Sequence, residues 1–156
     1  MSDYINKVIT LILIFVMLVL GPLTFSYLSD ELTSKRMILN EVTKFLDKVT
    51  DQASISGSDL DDFYLAINSY GMVLDAKVER YMQTPAVGLD GKTENIYFMA
   101  NDFRDLGPND VVNFVPSDVI QVSVEEVAVS PGRRLMYYIL RVDTGRYELT
   151  MAAAVD

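Results

Sequence analysis

The sequence contains no cysteine and no histidine. Without cysteine there is no disulfide, no thiolate metal site and no thiol nucleophile. Without histidine the chain lacks the usual general base at neutral pH and the commonest metal ligand. The phosphate-cradling patterns GxGxxG and GxxxxGK[ST] and the nucleophile-bearing GxSxG are also missing. Basic residues are scarce: 13 Lys and Arg stand against 22 Asp and Glu, a net charge of −9. Binding to nucleic acid draws on clustered Lys and Arg, and no such cluster occurs. Hydrolysis by a pair of carboxylates remains conceivable among 22 acids, but the inventory points to a non-enzymatic protein with no cofactor and no metal.

At 156 residues the chain has room for one domain and an anchor. Half of its residues are apolar, and they crowd towards the N-terminus. Residues 8–28 (VITLILIFVMLVLGPLTFSYL) carry no charge, and as a helix they span about 30 Å, the thickness of a bilayer's hydrocarbon core. A cleaved secretory signal has a shorter apolar run ending in small residues, and Thr24 and Ser26 around Phe25 fit that poorly. The expectation is a retained hydrophobic helix over 1–28 carrying an extracytoplasmic domain over 29–156.

Gly21-Pro22 lies inside this run. Proline removes a backbone donor and clashes with the preceding turn, so a bend or local opening is expected there. Two readings stand: an ordinary kinked span, or a weak point where the helix can stretch. Charge leaves the orientation open. Asp3 and Lys7 precede the span, whereas Lys35, Arg36, Lys44 and Lys48 come after it. The excess of basic residues on the cytoplasmic side would then place the domain inside, but Asp30 and Glu31 stand beside the membrane, and removal of a basic leader would alter the balance.

Beyond Leu28 the apolar residues become periodic. Leu32, Leu39, Val42, Leu46, Val49 and Ala53 recur at three–four spacing, widened by Ile38 and Phe45, with Glu41, Lys44, Asp47, Lys48 and Asp51 between them. One helix from about 4 to 54 is predicted, apolar all round in its first half and amphipathic in its second, ending at Ser56-Gly57-Ser58. Ser58 is the expected cap of a second helix, with Asp59, Asp61 and Asp62 in its first turn, where the helix dipole favours acids. A calcium site would use the same acids, but their spacing is not that of an EF-hand loop. Leu60, Phe63, Ala66 and Ile67 form its apolar face, and Gly71 is its expected stop.

Residues 72–81 alternate, with Leu74, Ala76 and Val78 on one face, as a half-buried strand does. A loop is expected over 83–92, which holds Pro85, Gly88 and Gly91. Ile96, Met99, Phe103 and Leu106 suggest a short helix. Strands are expected over 119–127, 135–142 and 147–155, joined by a type II turn at Ser130-Pro131-Gly132-Arg133 and a second turn at Asp143-Thr144-Gly145-Arg146. The fold class is therefore α+β, a four-stranded antiparallel sheet covered by the amphipathic half of the first helix. Tyr97, Tyr137, Tyr138 and Tyr147 are expected as packing residues of these strands rather than as a ligand platform.

This layout resembles type IV pilins and pilin-like proteins. The resemblance rests on MSDYINKVITLILIFVMLVLGPLTF, with Pro22 where many pilins carry a helix-loosening proline. MILNEVTKFLDKVTDQASISGSDLDDFYLAINSYGMVLDAKVER is similar to pilin-like proteins of the Tad type and of Gram-positive conjugative elements. The match covers residues 1–80 by pattern and the rest by architecture. It implies a pilin-like fold and removal of a basic leader by a prepilin peptidase, leaving Met1 as the mature N-terminus. It further implies extraction from the membrane by an assembly machinery into a cell-surface homopolymer. The implied assembly residues are Met1, Asp3, Val8, Leu11, Phe15, Leu18, Pro22 and Phe25, with Gly21 and Pro22 at the kink. The family's glutamate near the start of the apolar run is absent: Ile5 stands in its place, and Asp3 is the nearest acid. The alternative is a single-pass membrane-anchored extracytoplasmic binding protein, or a minor pseudopilin outside the filament body.

Overall fold

The structure, a computed structural model, describes residues 2–87, 93–130, 133–134, 137–138, 141 and 145–156. Its first half is one long helical element. Helix α1 (Ser2–Phe15) passes through a π-helical turn (Val16–Leu20) into α2 (Gly21–Gln52). At roughly 1.5 Å per residue this rod is about 75 Å long. The wide turn directly precedes Pro22, and the Gly21 N–H reaches five residues back to Val16 O. A proline ring crowds the turn before it and offers no donor, and a widened turn accommodates both effects.

Helix α2 stops at Gln52, where Ala53 takes a left-handed conformation (φ 45°) and its N–H closes onto Thr50 O and Val49 O. The chain turns at once into strand β1 (Ser54–Ser56), so the helix ends ahead of the expected Ser56-Gly57-Ser58 stop. Helix α3 (Gly57–Asn68) is capped by Ser56, not Ser58. Ser56 is still extended, which leaves its hydroxyl free to accept from the Asp59 N–H while Asp59 accepts from the Ser56 N–H, a reciprocal capping box. Gly71, at φ 77°, then steers the chain into the sheet.

The fold is α+β: the long N-terminal helix precedes an antiparallel sheet. The sheet comprises β2 (Val73–Val87), β3 (Thr93–Asp102), β5 (Val119–Ala128) and β6 (Glu148–Ala154), in the order β3-β2-β5-β6 with every neighbour antiparallel. A short strand β4 (Val111–Asn113) pairs with β1. The core lies between α2 and the sheet. Ile38, Val42, Phe45, Leu46 and Val49 of α2 are buried on Leu74, Ala76, Val78, Ile120, Val122 and Val124, and α3 closes one side with Leu60, Phe63 and Ile67. Phe45 stacks on Phe63 with ring centroids 4.3 Å apart. Leu32 and Leu39, expected in this stripe, stay exposed because the sheet begins to cover α2 only on the neighbouring face.

Two expected elements are replaced. Residues 83–87 continue β2 rather than forming a loop, and 93–102 are a strand rather than a helix. Pro85 is tolerated because β5 pairs with β2 only as far as Tyr81, so from Met82 onwards β2 is paired on one side alone. The strand expected over 135–142 does not appear among its described residues. Arg133, Arg134, Tyr137 and Tyr138 are helical, with N–H bonds from Arg134 to Ser130 O and from Arg141 to Tyr137 O. Strand β3 is the fourth member of the sheet instead, on the opposite edge. Pro131 and Gly132 of the first expected turn, and Asp143 and Thr144 of the second, lie outside the described residues.

Candidate functional site

Among the described residues, the N-terminal apolar helix forms the longest run of exposed apolar side chains. From Asp3 to Val19 every residue is exposed, and the helix is long and apolar enough to cross a membrane. Two of its hydroxyls are satisfied within the helix: Thr10 donates to Asn6 O at 2.8 Å and Thr24 to Leu20 O at 2.6 Å. Such internal pairing lets hydroxyls enter hydrocarbon without an orphaned donor.

Of the assembly residues read from the sequence, Asp3, Val8, Leu11, Phe15, Leu18, Pro22 and Phe25 all lie exposed on this rod. Met1 lies outside the described residues. None of the others is packed into the domain core. Val8, Leu11 and Phe15 share one face of α1 by their three–four spacing. The π-helical turn inserts one residue, which rotates the downstream helix by about 100° relative to an unbroken α-helix. Pro22 and Phe25, beyond the turn, therefore belong to a second stripe offset from the first, and Leu18 lies within the turn itself.

Where the rod leaves its uncharged stretch, a cluster of charges clamps it to the domain. Arg133 donates through one guanidinium nitrogen to Glu31 of α2. Through another it donates to Glu126 of β5 and to Gly145 O, the latter at 3.0 Å. Lys35 Nζ lies 2.8 Å from the same Glu31 oxygen. Glu126 also accepts the Tyr147 N–H at 3.1 Å, and its side chain is only 1 % exposed. Nearby, the Tyr27 hydroxyl meets the Ser130 hydroxyl at 3.2 Å, and Lys35 sits over the Tyr147 ring.

Burial of the Glu31 carboxylate disfavours its charge, but hydrogen bonds from Lys35 and Arg133 more than offset this and hold it below the usual glutamate range. Burial likewise opposes the charge on Arg133, and Glu31 and Glu126 reverse that and raise its pKa. This cluster was not singled out in the sequence. One signal for it was present: Glu126 continues the inward alternation of Ile120, Val122 and Val124, where a carboxylate needs a cation.

The aromatic residues depart from expectation. Tyr97, Tyr137 and Tyr138 are exposed, because β3 is an edge strand and 137–138 belong to a helical segment. Tyr147 alone of the four packs against the core, and burial raises its pKa. Asp59 is committed to the Ser56 cap and to Lys48, which together hold its pKa low against partial burial. Comparison with protein-family models, curated proteins and solved structures returns no match to this chain.

Proposed function

We propose that the chain is a non-catalytic structural subunit of an extracellular, type IV pilus-like helical filament, assembled through its N-terminal helix from a membrane-held pool. One observation carries this reading. The exposed apolar rod and the domain's core helix are a single element, with Leu28 only ten residues before the buried Ile38. A tethered domain needs only a linker between span and body. Here the body is built on the extension of the span, so whatever covers the rod also fixes the position of the domain.

Water cannot cover it, and lipid or further copies of the same helix can. Copies packed in one orientation make a head-to-tail contact, which leads to an open helical polymer rather than a closed ring. In such a core the Asp3 carboxylate would neutralise a neighbour's terminal amine, since an unpaired charge there is costly. Electron microscopy of sheared surface material is the test. Filaments that contain the chain support the reading, and recovery only as a detergent-extracted monomer defeats it.

A further inference from the structure

The sheet carries a feature that the helix-driven assembly leaves unused. Strand β2 is 15 residues long, but its first part pairs with β5 and its last part with β3 alone. The β2–β3 register shifts there: Ala100 of β3 is an extra residue opposite Arg80 and Tyr81, the kind of bulge that bends the strand carrying it. Residues 82–87 of β2 with β3 thus form an arm of about 20 Å at roughly 3.3 Å per residue. It points away from the anchor. Glu31 is clamped level with Glu126 and Leu74 at the near end of the sheet, whereas Ala53 and Phe114, at the end of α2, lie with Arg80 and Asp118 at the far end.

The arm is apolar on both faces. Met82, Ile96 and Phe98 share one face, and Tyr81, Tyr97, Met99 and Val87 the other, by the ladder register. Ile96, Tyr97, Phe98, Met99 and Val87 are each about half exposed or more. No charge occurs from Asn95 to Asn101 on β3, and β3 contains no proline or basic residue. Edge strands are normally guarded by such residues. Pro85 blunts the outer rim of the β2 half, so β3 presents the open edge.

The other edge of the sheet is β6, and it is equally unguarded: Leu149 to Ala154 carry no charge and no proline. Because four strands alternate in direction, β3 and β6 run in opposite senses. Two copies in the same orientation, side by side, therefore bring β6 of one against β3 of the other as an antiparallel pair. The stagger along β2 sets the second copy further along the rod axis by on the order of 15–20 Å.

We infer that β3 of one copy adds as a strand to β6 of the next copy along the filament. The inference rests on the filament reading. The size of the arm favours a second copy over a free partner. Five half-exposed side chains at roughly 200 Å² each offer about 500 Å², less than the ~800 Å² per partner of a stable interface. An arm of this size binds only a neighbour that another contact already holds beside it, and bundled anchors provide that neighbour.

The absence of cysteine makes the test clean. Asn95 and Ala152 lie on the same sheet face by register. The full-length double variant Asn95→Cys with Ala152→Cys is expressed in its host and treated with a short bismaleimide, which tolerates a shift of register. The expected result is a ladder of dimer, trimer and higher bands on denaturing gels, absent from either single variant and from the control pair Asn95→Cys with Asp61→Cys. Filaments that give no ladder, or the same ladder with the control pair, overturn the strand-addition contact and leave the filament reading standing. Absence of filaments from the unmodified chain overturns both.

Discussion

Arg133 donates to the carboxylate of Glu31, 102 residues earlier in the chain, at the point where α2 leaves its uncharged stretch. The same guanidinium holds Glu126 of β5, so one side chain ties the base of the rod to the sheet.

Replacing Arg133 by Ala leaves two buried carboxylates without their shared cation. Breaking a buried pair in this way typically costs about 3–5 kcal/mol. Arg133→Ala is expected to lower the unfolding midpoint of the detergent-solubilised chain markedly, by more than Lys48→Ala, whose pairing with Asp59 is partly exposed. Equal midpoints for the two variants would remove the clamp from the account.

Glu31 and Asp59 both have pKa values held below their ordinary range. For a lowered acid, the folded state binds its proton less readily than the unfolded chain. The stability from these two groups is therefore fully present above about pH 5 and is lost as pH falls through the unfolded values near 4 towards the lower folded ones. Denaturant midpoints should be flat from pH 7 to 5 and fall below that, and Glu31→Gln should flatten the acid limb. An unchanged acid limb in that variant contradicts the assignment.

Gly57 opens α3 against the backbone of 107–108. A Cβ there would stand 2.1 Å from Gly107 O and 2.8 Å from Pro108 Cα, and neither atom can swing aside as a side chain does. Gly57→Ala is expected to destabilise the domain by about 1–3 kcal/mol. Gly145→Ala meets nothing within 4 Å, and its penalty is confined to the left-handed backbone there (φ 67°). Thermal unfolding of both variants decides whether the close approach at Gly57 matters more.

Asp3→Ala is expected to insert into the membrane normally but to assemble poorly. If its carboxylate meets a neighbour's amine in the filament core, leaving that amine unpaired at about 3–5 kcal/mol cuts sheared filament yield by more than tenfold at unchanged membrane level. Quantitative blotting of the two fractions tests this, and equal yields remove Asp3 from the assembly contact.

The rod and its packing were legible because they rest on strong periodic signals. Residues 8–28 lack charge altogether, and Ile38, Val42, Phe45 and Val49 mark a single buried stripe. Strand β5 was legible for the same reason, through Ile120, Val122 and Val124. The arm was not. Ile96 and Phe98 face one way and Tyr97 and Met99 the other, so the alternation that marks a half-buried strand is missing, and Ile96 to Met99 mimics a helical repeat. Pro85 and Gly88 then read as a loop, since nothing local reveals that β2 is paired on one side only at that point. The described residues of the expected 135–142 strand departed for a different reason. Its β-branched and aromatic run suits a strand, but Tyr137 and Tyr138 are helical, and the neighbouring Arg133 is fastened to Glu126 and to Glu31, the latter 102 residues away. Sequence spacing carries no trace of that tertiary constraint. The candidate assembly face was legible only as far as its apolar character, and its division into two stripes came from the π-helical turn.

The filament reading meets its most direct test in cryo-electron microscopy of material sheared from cells that express the unmodified chain. The account predicts helical filaments whose core is a bundle of the α1 rods and whose outer layer is the α2–sheet domain. A chain found only as dispersed single-pass monomers in the membrane fraction, with no filament in the sheared material, would contradict it.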